Sequence, residues 1–449
     1  MSRPFGLFER FGVELEYMLV EVPSLEPSSI ADAILRQFAR EVGPASLPAT
    51  AGTEARPTDG DEVSAAGDEA PEGDEDGDVT HGGIAWSNEL VLHVIELKTA
   101  EPAPTLRGLA GSFQREVGVI NAALSPQGRR LLPTAMHPWL DPHTQTRLWP
   151  HGYGEVYATF DRIFGCRGHG WANLQSVHLN LPFADDDEFG RLHAAIRLLL
   201  PLLPALAASS PVCDGRLTGT LDTRLAVYAT NAARVPSVSG DIIPEPVFTI
   251  AGYHEQILDR IYRDLAPLDP AGVLRHEWAN ARGAIARFER NTIEIRVLDV
   301  QECPAADLAI TRLIVATLRA LVEERWCSGA EQRAFPTAPL VRLLRATTQA
   351  GDSGVIDDPT YLRLFGLTDG VSCPAGAIWR HLWQDLFTAE EHASDELAPL
   401  RVIFDEGCLA RRITQALGPN PNRQRMHQLY TRLAGCLATG TLLQVGNAG

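Results

Sequence analysis

The sequence lacks the cysteine patterns that mark metal clusters and disulfide frameworks. Its 449 residues contain seven cysteines, scattered without a CxxC pair or a regular spacing. Neither a zinc cluster nor a set of disulfides is predicted, and free thiols in a reducing compartment fit best. The start of the chain, MSRPFGLFERFGVELEY, has no apolar core of the kind found in signal peptides. We therefore expect a cytoplasmic protein.

Long apolar runs are also missing. The most apolar stretch, AAIRLLLPLLPALAASS, is interrupted by Arg197, Pro201 and Pro204. Proline breaks helices, and a bilayer requires about 20 mostly apolar residues in a row. The stretch therefore predicts a buried, kinked helix, and no membrane partner is expected.

Basic residues are not in excess. Of the formal charge of −18, a balance of −10 falls on residues 54–78, where eleven acidic residues face only Arg56. Nucleic-acid binding requires a basic face, so no nucleic-acid partner is expected. Residues 45–80 also contain almost no bulky apolar side chain, which predicts a disordered acidic insertion.

Helix and strand patterns divide the chain into two parts. Strand-like segments are scattered between helices of unequal length, and from Pro304 onwards nearly every segment has helical periodicity. This irregular order argues against repeated βαβ units and favours an antiparallel or mixed sheet. We predict an α+β domain over residues 1–330, with a C-terminal helical region over residues 331–449 packed on it.

The stretch RFGVELEYMLVEV is the first predicted strand, and it carries two glutamates. Side chains alternate between the two faces of a strand, so Glu14 and Glu16 share the face opposite Val13 and Leu15. Two adjacent carboxylates repel each other unless water, an arginine or a metal ion neutralises them. A solvent-facing pair is the simpler alternative from this segment alone.

Three further strand-like segments also carry polar residues on one face. SVHLNLPF contains His178 and Asn180, NTIEIRVLD contains Glu294 and Arg296, and NELVLHVIELKT contains Glu89 and Glu96. Taken singly, these residues have ordinary explanations as a cross-strand ion pair, a core histidine or a surface glutamate. Glu89 and Glu96 are an odd number of residues apart, so they reach one site only if Glu89 lies in an entry turn or a bulge intervenes.

Taken together, these segments predict a metal site that handles phosphate. Carboxylates in this number favour Mg²⁺ or Mn²⁺ over zinc, because hard cations prefer oxygen ligands. Several such ions beside an arginine are typical of nucleotide triphosphate sites. The chain has neither a GxxxxGK[ST] loop nor a GxGxxG sequence after a strand, so the phosphates are not held in the P-loop or Rossmann manner.

The order of these motifs resembles the glutamate–cysteine ligase superfamily, in particular its bacterial type 2 or carboxylate–amine ligase group. The resemblance covers about residues 8–303 and is carried by FGVELEYMLVE, NELVLHVIELKT, SVHLNL, SSPVCDGRLTG with DTR, and NTIEIRVLD. It implies a glutamine-synthetase-like fold, in which an antiparallel sheet forms one wall of the active site. The catalytic domain would then be residues 1–330.

The resemblance also implies roles for individual residues. The metal ligands would be Glu14, Glu16, Glu89, Glu96 and Glu294. His178 would lie near the transferred phosphate, and Arg296 would neutralise the phosphoryl group in flight. Arg224, Asn180 and Arg282 would bind substrate, although many relatives have a histidine at the position of Asn180 and an acidic residue within the segment that reads WANAR here.

The implied activity is ATP- and Mg²⁺-dependent ligation of a carboxylate to an amine through an acyl phosphate. The resemblance favours the γ-carboxylate of L-glutamate as donor and an amino acid, cysteine first, as the amine. Two alternatives remain open: a phosphotransferase like the guanidino kinases, and a catalytically silent relative that binds a nucleotide or a partner. The expected partners are small molecules, namely ATP and amino acids, and homo-oligomer formation is left open.

Overall fold

The fold consists of one large antiparallel sheet with helices packed against it. The computed structural model describes residues 3–42 and 78–445. The strands are β1 Gly12–Glu21, β2 Val79–His81, β3 Ile84–Asn88, β4 Val94–Thr99, β5 Arg129–Leu132, β6 Ser176–Pro182, β7 Val212–Cys213, β8 Arg216–Leu217, β9 Ala284–Arg287, β10 Thr292–Asp299, β11 Val355–Ile356 and β12 Cys373–Pro374.

The helices are unequal in length, and most of those after residue 304 follow one another directly. They are α1 Ala31–Val42, α2 Leu109–Leu124, α3 Pro142–Gln145, α4 Gly154–Phe164, α5 His169–Ala172, α6 Asp186–Leu199, α7 Pro204–Ala207, α8 Thr223–Tyr228, α9 Ile250–Tyr253, α10 Asp259–Leu265, α11 Pro304–Val322, α12 Gly329–Ala334, α13 Thr337–Ala350, α14 Pro359–Arg363, α15 Ala375–Leu386, α16 Ala389–Ala393, α17 Ala398–Glu406, α18 Leu409–Leu417 and α19 Arg423–Thr439.

The large sheet has the strand order β2-β3-β4-β1-β6-β10-β9, with β5 paired to the far end of β1. Every pair in it is antiparallel. The predicted α+β class with an antiparallel sheet is therefore confirmed. Strand β1 lies at the centre, flanked by β4 and β6 over the half that carries its glutamates.

One face of the sheet is the apolar core. Val13, Leu15 and Tyr17 of β1 are fully buried in a cluster that includes Phe113 and Val117 of α2. The same cluster continues through α11 and the helices up to residue 403. Because apolar residues on both sides of residue 330 share this core, the domain boundary predicted there coincides with no break in packing, and it stays a prediction.

Several local predictions can be compared with the structure. The apolar stretch near Pro201 forms a buried helix that is interrupted after Leu199 and resumes at Pro204, as its prolines predicted. Pro304 lies in the first turn of α11, also as predicted. The predicted acidic insertion falls largely on residues 43–77, which lie outside the described residues, but its predicted end at 80 is wrong because Val79–His81 forms β2.

Helix length and hydropathy bear on the predicted absence of a membrane partner. Among the described residues, no helix combines the length and the apolar character needed to cross a bilayer. All seven cysteines lie in the described part of the chain and none forms a disulfide.

Candidate active site on the polar sheet face

The other face of the sheet carries the polar residues singled out in the sequence. The strand register places Glu14 of β1 opposite His178 of β6 and opposite Lys98 of β4. One step along the strands, Glu16 lies opposite Glu96. Asn180 lies opposite Glu294 on β10. The expectation that these side chains share one face is confirmed by this register.

Glu14 is held by two polar side chains of β6, His178 and Asn180. His178 Nδ1 lies 2.8 Å from Glu14 Oε2, and the Asn180 amide donates to Glu14 Oε1 at 2.9 Å. Burial alone would raise the pKa of Glu14, but the hydrogen bond and the charge of His178 lower it well below its usual range. Glu14 is therefore an anion at neutral pH. The amide oxygen of Asn180 has no hydrogen-bond partner among the described residues.

Glu16 is held by the first residue of β6. The backbone N–H of Ser176 donates to Glu16 Oε2 at 2.7 Å, and the Ser176 hydroxyl donates to Oε1 at 3.0 Å. The Ser176 oxygen also lies 3.0 Å from His178 Nε2. Because the hydroxyl proton points at Glu16, the oxygen accepts a hydrogen bond from His178. This side chain thus links two of the candidate site residues.

His178 is therefore an imidazolium that donates from both ring nitrogens. Burial alone would lower its pKa, but the hydrogen bond to Glu14 and the charges of Glu16 and Glu14 raise it to about 9. The ring supplies one positive charge that lies within 4 Å of the carboxylates of Glu14, Glu16 and Glu294. It also fixes the orientation of Glu14, because Nδ1–H points at that carboxylate.

Glu89 lies in the turn between β3 and β4, the arrangement that its odd spacing from Glu96 required. Oxygens of Glu16, Glu89 and Glu96 approach one another within 4.8 Å, and Glu14, Glu96 and His178 form a second such group. Burial, followed by repulsion from Glu16 and Glu96, raises the pKa of Glu89 well above its usual value. Burial and the charge of Glu14 raise the pKa of Glu96 to about 7.

These raised pKa values fit a cation site. Burial and repulsion between neighbouring carboxylates favour the protonated forms of Glu89 and Glu96, and a divalent cation would remove that cost. The potential metal ligands are carboxylate oxygens on strands β1 and β4 and in the turn before β4, and the Ser87 hydroxyl donates to Glu96 at 2.6 Å. Such a set suits Mg²⁺ or Mn²⁺ rather than zinc. The residues present therefore fit the predicted metal.

Glu294 and Arg296 lie at the β10 side of the face. Arg296 Nε is 2.9 Å from Glu294 Oε1, and Arg287 of β9 donates to Glu294 Oε2 at 3.2 Å. The pairing of β10 with β6 shifts register between Ile295 and Leu298, so Arg296 lies in a β-bulge. Bulges re-aim side chains, and the Arg296 side chain keeps about a quarter of its surface exposed (26%).

The predicted role of Arg224 in substrate binding is not supported by its contacts. Its side chain is buried, its Nε pairs with Asp299 at 2.5 Å, and its Nη2 donates to the carbonyl oxygen of Arg296 at 3.2 Å. Ser210 also donates to Asp299, at 2.7 Å. The guanidinium is thus engaged by an internal carboxylate because burial requires its charge to be paired. Arg224 supports the bulge that presents Arg296.

The predicted role of Arg282 in substrate binding is likewise not supported by its contacts. Its guanidinium makes two hydrogen bonds to Glu245, of 2.6 and 2.7 Å, and a further one to the Ser237 carbonyl at 3.0 Å. The side chain is fully buried. Further hydrogen bonds go to the Asn280 amide oxygen at 2.9 Å and to the Val238 carbonyl at 3.5 Å. Arg282 therefore holds loops together and presents no free fork to a ligand.

Four neighbours of the site were missed as contributors in the sequence. Each lies on the polar face or pairs with it: Ser87, Lys98, Ser176 and Arg287. Lys98 and Ser176 had a usable signal, because each lies two residues from a predicted site residue on the same strand. Ser87 and Arg287 depend on which strands become neighbours, which the local sequence does not encode.

A second group of potential ligands lies away from the carboxylates. His169 and Asp214 line a cleft of about 460 Å³, with the Cys213 thiol close by. The orientation of the Asn173 amide is fixed because its oxygen accepts a hydrogen bond from the backbone N–H of His137. Its nitrogen therefore donates to His169 Nδ1, at 3.1 Å. His169 Nε2 then carries the proton and donates to Asp214 at 3.0 Å. No lone pair of this ring is free for a metal, so the carboxylate face is the candidate site.

Comparison with known proteins places this site in a family. An uncharacterized protein of Archaeoglobus fulgidus is 33% identical over 360 residues, covering 79% of this chain and 88% of that protein. A Nocardioides sp. protein with the provisional name glutamate–cysteine ligase 2-1 is 25% identical over 334 residues, covering 72% of this chain and 70% of that one.

Two solved structures show the same fold. The glutamate–cysteine ligase of Francisella tularensis, in complex with AMP, has a TM-score of 0.57 at 11% identity and covers 96% of this chain and 89% of its own. A bifunctional glutathione synthetase of Pasteurella multocida has a TM-score of 0.52 at 14% identity; the match covers 95% of this chain but only 52% of that longer one. The predicted glutamine-synthetase-like fold class is thus confirmed. The profile of glutamate–cysteine ligase family 2 (GCS2) matches residues 10–432, and the chain belongs to this family.

Proposed function

We propose that the protein is an ATP- and Mg²⁺-dependent ligase that joins a carboxylate to an amine. The observation that carries this proposal is the polar sheet face, where two ligand groups that share Glu96 lie beside His178 and Arg296. A carboxylate and an amine do not condense at neutral pH, because the carboxylate oxygen is a poor leaving group. Phosphorylation by ATP turns that oxygen into phosphate, which leaves readily when the amine attacks the acyl phosphate.

The carboxylates of the face would hold the metal. Glu16, Glu89 and Glu96 form one predicted ligand group, and Glu14 with Glu96 forms the other. Bound Mg²⁺ would supply charge neutralisation for the triphosphate. Glu294 is the fifth predicted ligand and lies between two arginines. Its orientation is set by both guanidinium groups, which would keep an oxygen directed at the site.

Arg296 would act on the phosphoryl group during transfer. Its side chain is the partly exposed cation of the β10 bulge, and Arg224 holds the bulge from behind. A preorganised guanidinium stabilises charge that develops in the transition state without having to reorganise. His178, fixed between Glu14 and Ser176, would maintain a positive charge near the transferred phosphate.

The substrates are the finer part of the proposal. The family name and the names of several relatives support L-glutamate as the carboxylate donor, activated at its γ-carboxylate, and cysteine as the first candidate for the amine. A glutamate donor needs a cation for its α-carboxylate. Arg224 and Arg282 are both engaged internally, so neither supports the donor assignment. The cytoplasmic location stays a prediction.

A screen of ADP release tests the proposal. The purified protein is incubated with ATP, Mg²⁺, glutamate and each common amino acid or amine in turn. The products are identified by mass spectrometry. We expect an amide product and one ADP per amide. A phosphoramidate in place of the amide would identify the phosphotransferase alternative. No ATP consumption with any carboxylate and amine would contradict a ligase and favour the silent relative.

A matched pair of variants links any activity to the face. Glu16→Gln removes a predicted metal ligand, whereas Glu21→Gln changes the exposed last residue of the same strand. We expect Glu16→Gln to lose ADP release and Glu21→Gln to retain it. Equal activity of the two variants would remove β1 from the site.

A further inference from the structure

The chain contains a single lysine. Of its 39 lysine and arginine residues, 38 are arginine, and Lys98 is the remaining one. Among the described residues, all other side-chain cations found in ion pairs are arginine or histidine. A chain that uses arginine at almost every cationic position has an ammonium group at one position only, and that position is on the polar sheet face.

Lys98 lies among the candidate metal ligands. It is on β4, directly opposite Glu14 of β1, which in turn lies opposite His178. Its ammonium is 3.3 Å from Glu96 Oε1 and 3.1 Å from Asp78 Oδ2. About a quarter of the side chain (28%) stays exposed. The ammonium therefore lies at the edge of the carboxylate groups, in contact with them and with solvent.

The chemistry of an ammonium differs from that of a guanidinium at this position. An ammonium is a compact point charge with three donors that can be shared among ligands in different directions. A guanidinium holds its donors in one plane, a geometry that suits paired contacts with a carboxylate or phosphate. The cations on the opposite side of the face, Arg287 and Arg296, each place one nitrogen against Glu294, at 3.2 and 2.9 Å. The three donors of the Lys98 ammonium can be divided between its two carboxylate partners and an incoming anion.

We propose that Lys98 binds a phosphate oxygen of the nucleotide, from the β4 side of the face opposite Arg296. This inference rests on the proposed function and adds a second phosphate-binding cation to it. The pair of acidic partners holds the ammonium in position before the nucleotide arrives. A metal bound to Glu96 would compete with Lys98 for that carboxylate. One N–H of the Lys98 ammonium would then be free to donate to a phosphate oxygen. Recognition would be of the polyphosphate and not of the base.

The single lysine permits a direct test by amine labelling. Reductive methylation with formaldehyde and a borohydride modifies Lys98 as the sole lysine side chain, and peptide mass spectrometry separates it from the terminal amine. We expect Mg²⁺ with ADP, or Mg²⁺ with tripolyphosphate, to slow methylation of Lys98. Adenosine with Mg²⁺ should leave the rate at that seen with Mg²⁺ alone. Equal rates under all four conditions would overturn the proposal, as would full protection by Mg²⁺ alone.

Binding measurements on variants give a second test. Lys98→Met should raise the Kd of Mg·ATP by about 10- to 100-fold, the usual loss for a hydrogen bond to a charged group. It should leave the Kd of adenosine unchanged. Arg115→Met, a change of an exposed cation on α2, is the matched control and should alter neither constant. An unchanged Mg·ATP Kd in Lys98→Met would contradict the proposal even if the variant is active.

The two proposals fail in different ways. If the parent protein binds Mg·ATP and releases ADP while Lys98 is neither protected nor needed for ATP affinity, the role of Lys98 is wrong and the ligase stands. If the parent protein binds no ATP, the proposed function is wrong as well. Tripolyphosphate protection without any ligase activity would support the phosphate site and contradict the ligase.

Discussion

The same face of β1 has two halves of opposite character. In the first half, Glu14 and Glu16 point towards the polar side chains of β4 and β6. In the second half, Met18 and Val20 continue the alternation and are fully buried. They belong to an apolar cluster whose other members come largely from α18 and α19, with Leu132 of β5 and Val212 of β7.

The difference shows what the C-terminal helices do for the site. The polar half of this face keeps partial access to solvent, because about a quarter of the Lys98 and Arg296 side chains is exposed although Glu16 is buried, and we call it the open half. The apolar half needs a cover, and helices about 400 residues away in sequence supply it. The boundary between open and covered face falls between Glu16 and Met18. The helical region is therefore part of the wall that borders the site.

A carboxylate placed in the covered half should have the largest effect. Met18→Glu extends the glutamate alternation into the apolar cluster, where a buried unpaired charge costs several kcal/mol of folding free energy. We expect the variant to be largely unfolded, as measured by circular dichroism and urea denaturation. Met18→Leu, which conserves volume, should cost less than about 1.5 kcal/mol. A stable Met18→Glu protein would show that this half is not closed.

Breaking the Arg224–Asp299 pair behind the open half should have the second-largest effect on stability. Arg224→Gln leaves Asp299 buried without its cation, and breaking such a pair costs about 3–5 kcal/mol of unfolding free energy. Urea denaturation measures this loss, and the double variant Arg224→Met with Asp299→Asn should recover part of it. A variant of unchanged stability that only raises the KM of the donor would restore the substrate-binding role predicted from the sequence.

Loss of the charged groups at the β10 side should abolish turnover without unfolding the protein. Glu294→Ala and Arg296→Ala each remove one preorganised charge, an effect of about 2.7–4 kcal/mol or 10²–10³ in rate. ADP release measures the rate, and thermal melting checks the fold. Near-normal turnover in either variant would confine the site to β1, β4 and β6.

Metal affinity should depend on pH because of the crowding in the open half. The folded, metal-free protein holds the pKa of Glu96 near 7, above the ordinary 4.5, so a proton must leave when a cation binds. Affinity for Mg²⁺ or Mn²⁺ should therefore rise with pH through about 7, by up to about tenfold per pH unit for each proton released, and the raised pKa of Glu89 adds to this rise. Calorimetry at several pH values measures this slope, and Glu96→Gln should flatten it. A metal affinity that falls as the pH rises would contradict this prediction.

The polar face was predictable because it depends on strand alternation alone. Glu14, Glu16, His178 and Asn180 lie where a period of two places them, and Glu89 lies in the turn that its spacing required. The internal pairing of Arg224 and Arg282 was not predictable, because the carboxylates that engage them, Asp299 and Glu245, lie 75 and 37 residues away. Whether an arginine reaches a ligand or a distant internal partner is decided by tertiary packing, which a local pattern does not contain.

The bulge at Arg296 could not be predicted for a related reason. Sequence alternation places Glu294 and Arg296 on one face of a regular strand, but the register against β6 shifts directly after Ile295. At the shift, the backbone carbonyl of Arg296 accepts a hydrogen bond from Arg224, which lies 72 residues earlier in the chain. The fold class and the shared polar face follow from the sequence, whereas the direction of individual side chains depends on the assembled sheet.

The central position of β1 has a consequence for how the protein is made. Residues 14 and 294 are 280 positions apart in the chain, yet they meet on neighbouring sides of β6. During synthesis Glu14 and Glu16 are therefore made long before Glu294 and Arg296, which join them only when β10 has emerged. A truncated chain that stops before β10 would contain the two ligand groups of β1, β4 and β6 but would lack Glu294 and Arg296. The cation proposed to act on the phosphoryl group is thus one of the last parts of the polar face to be made.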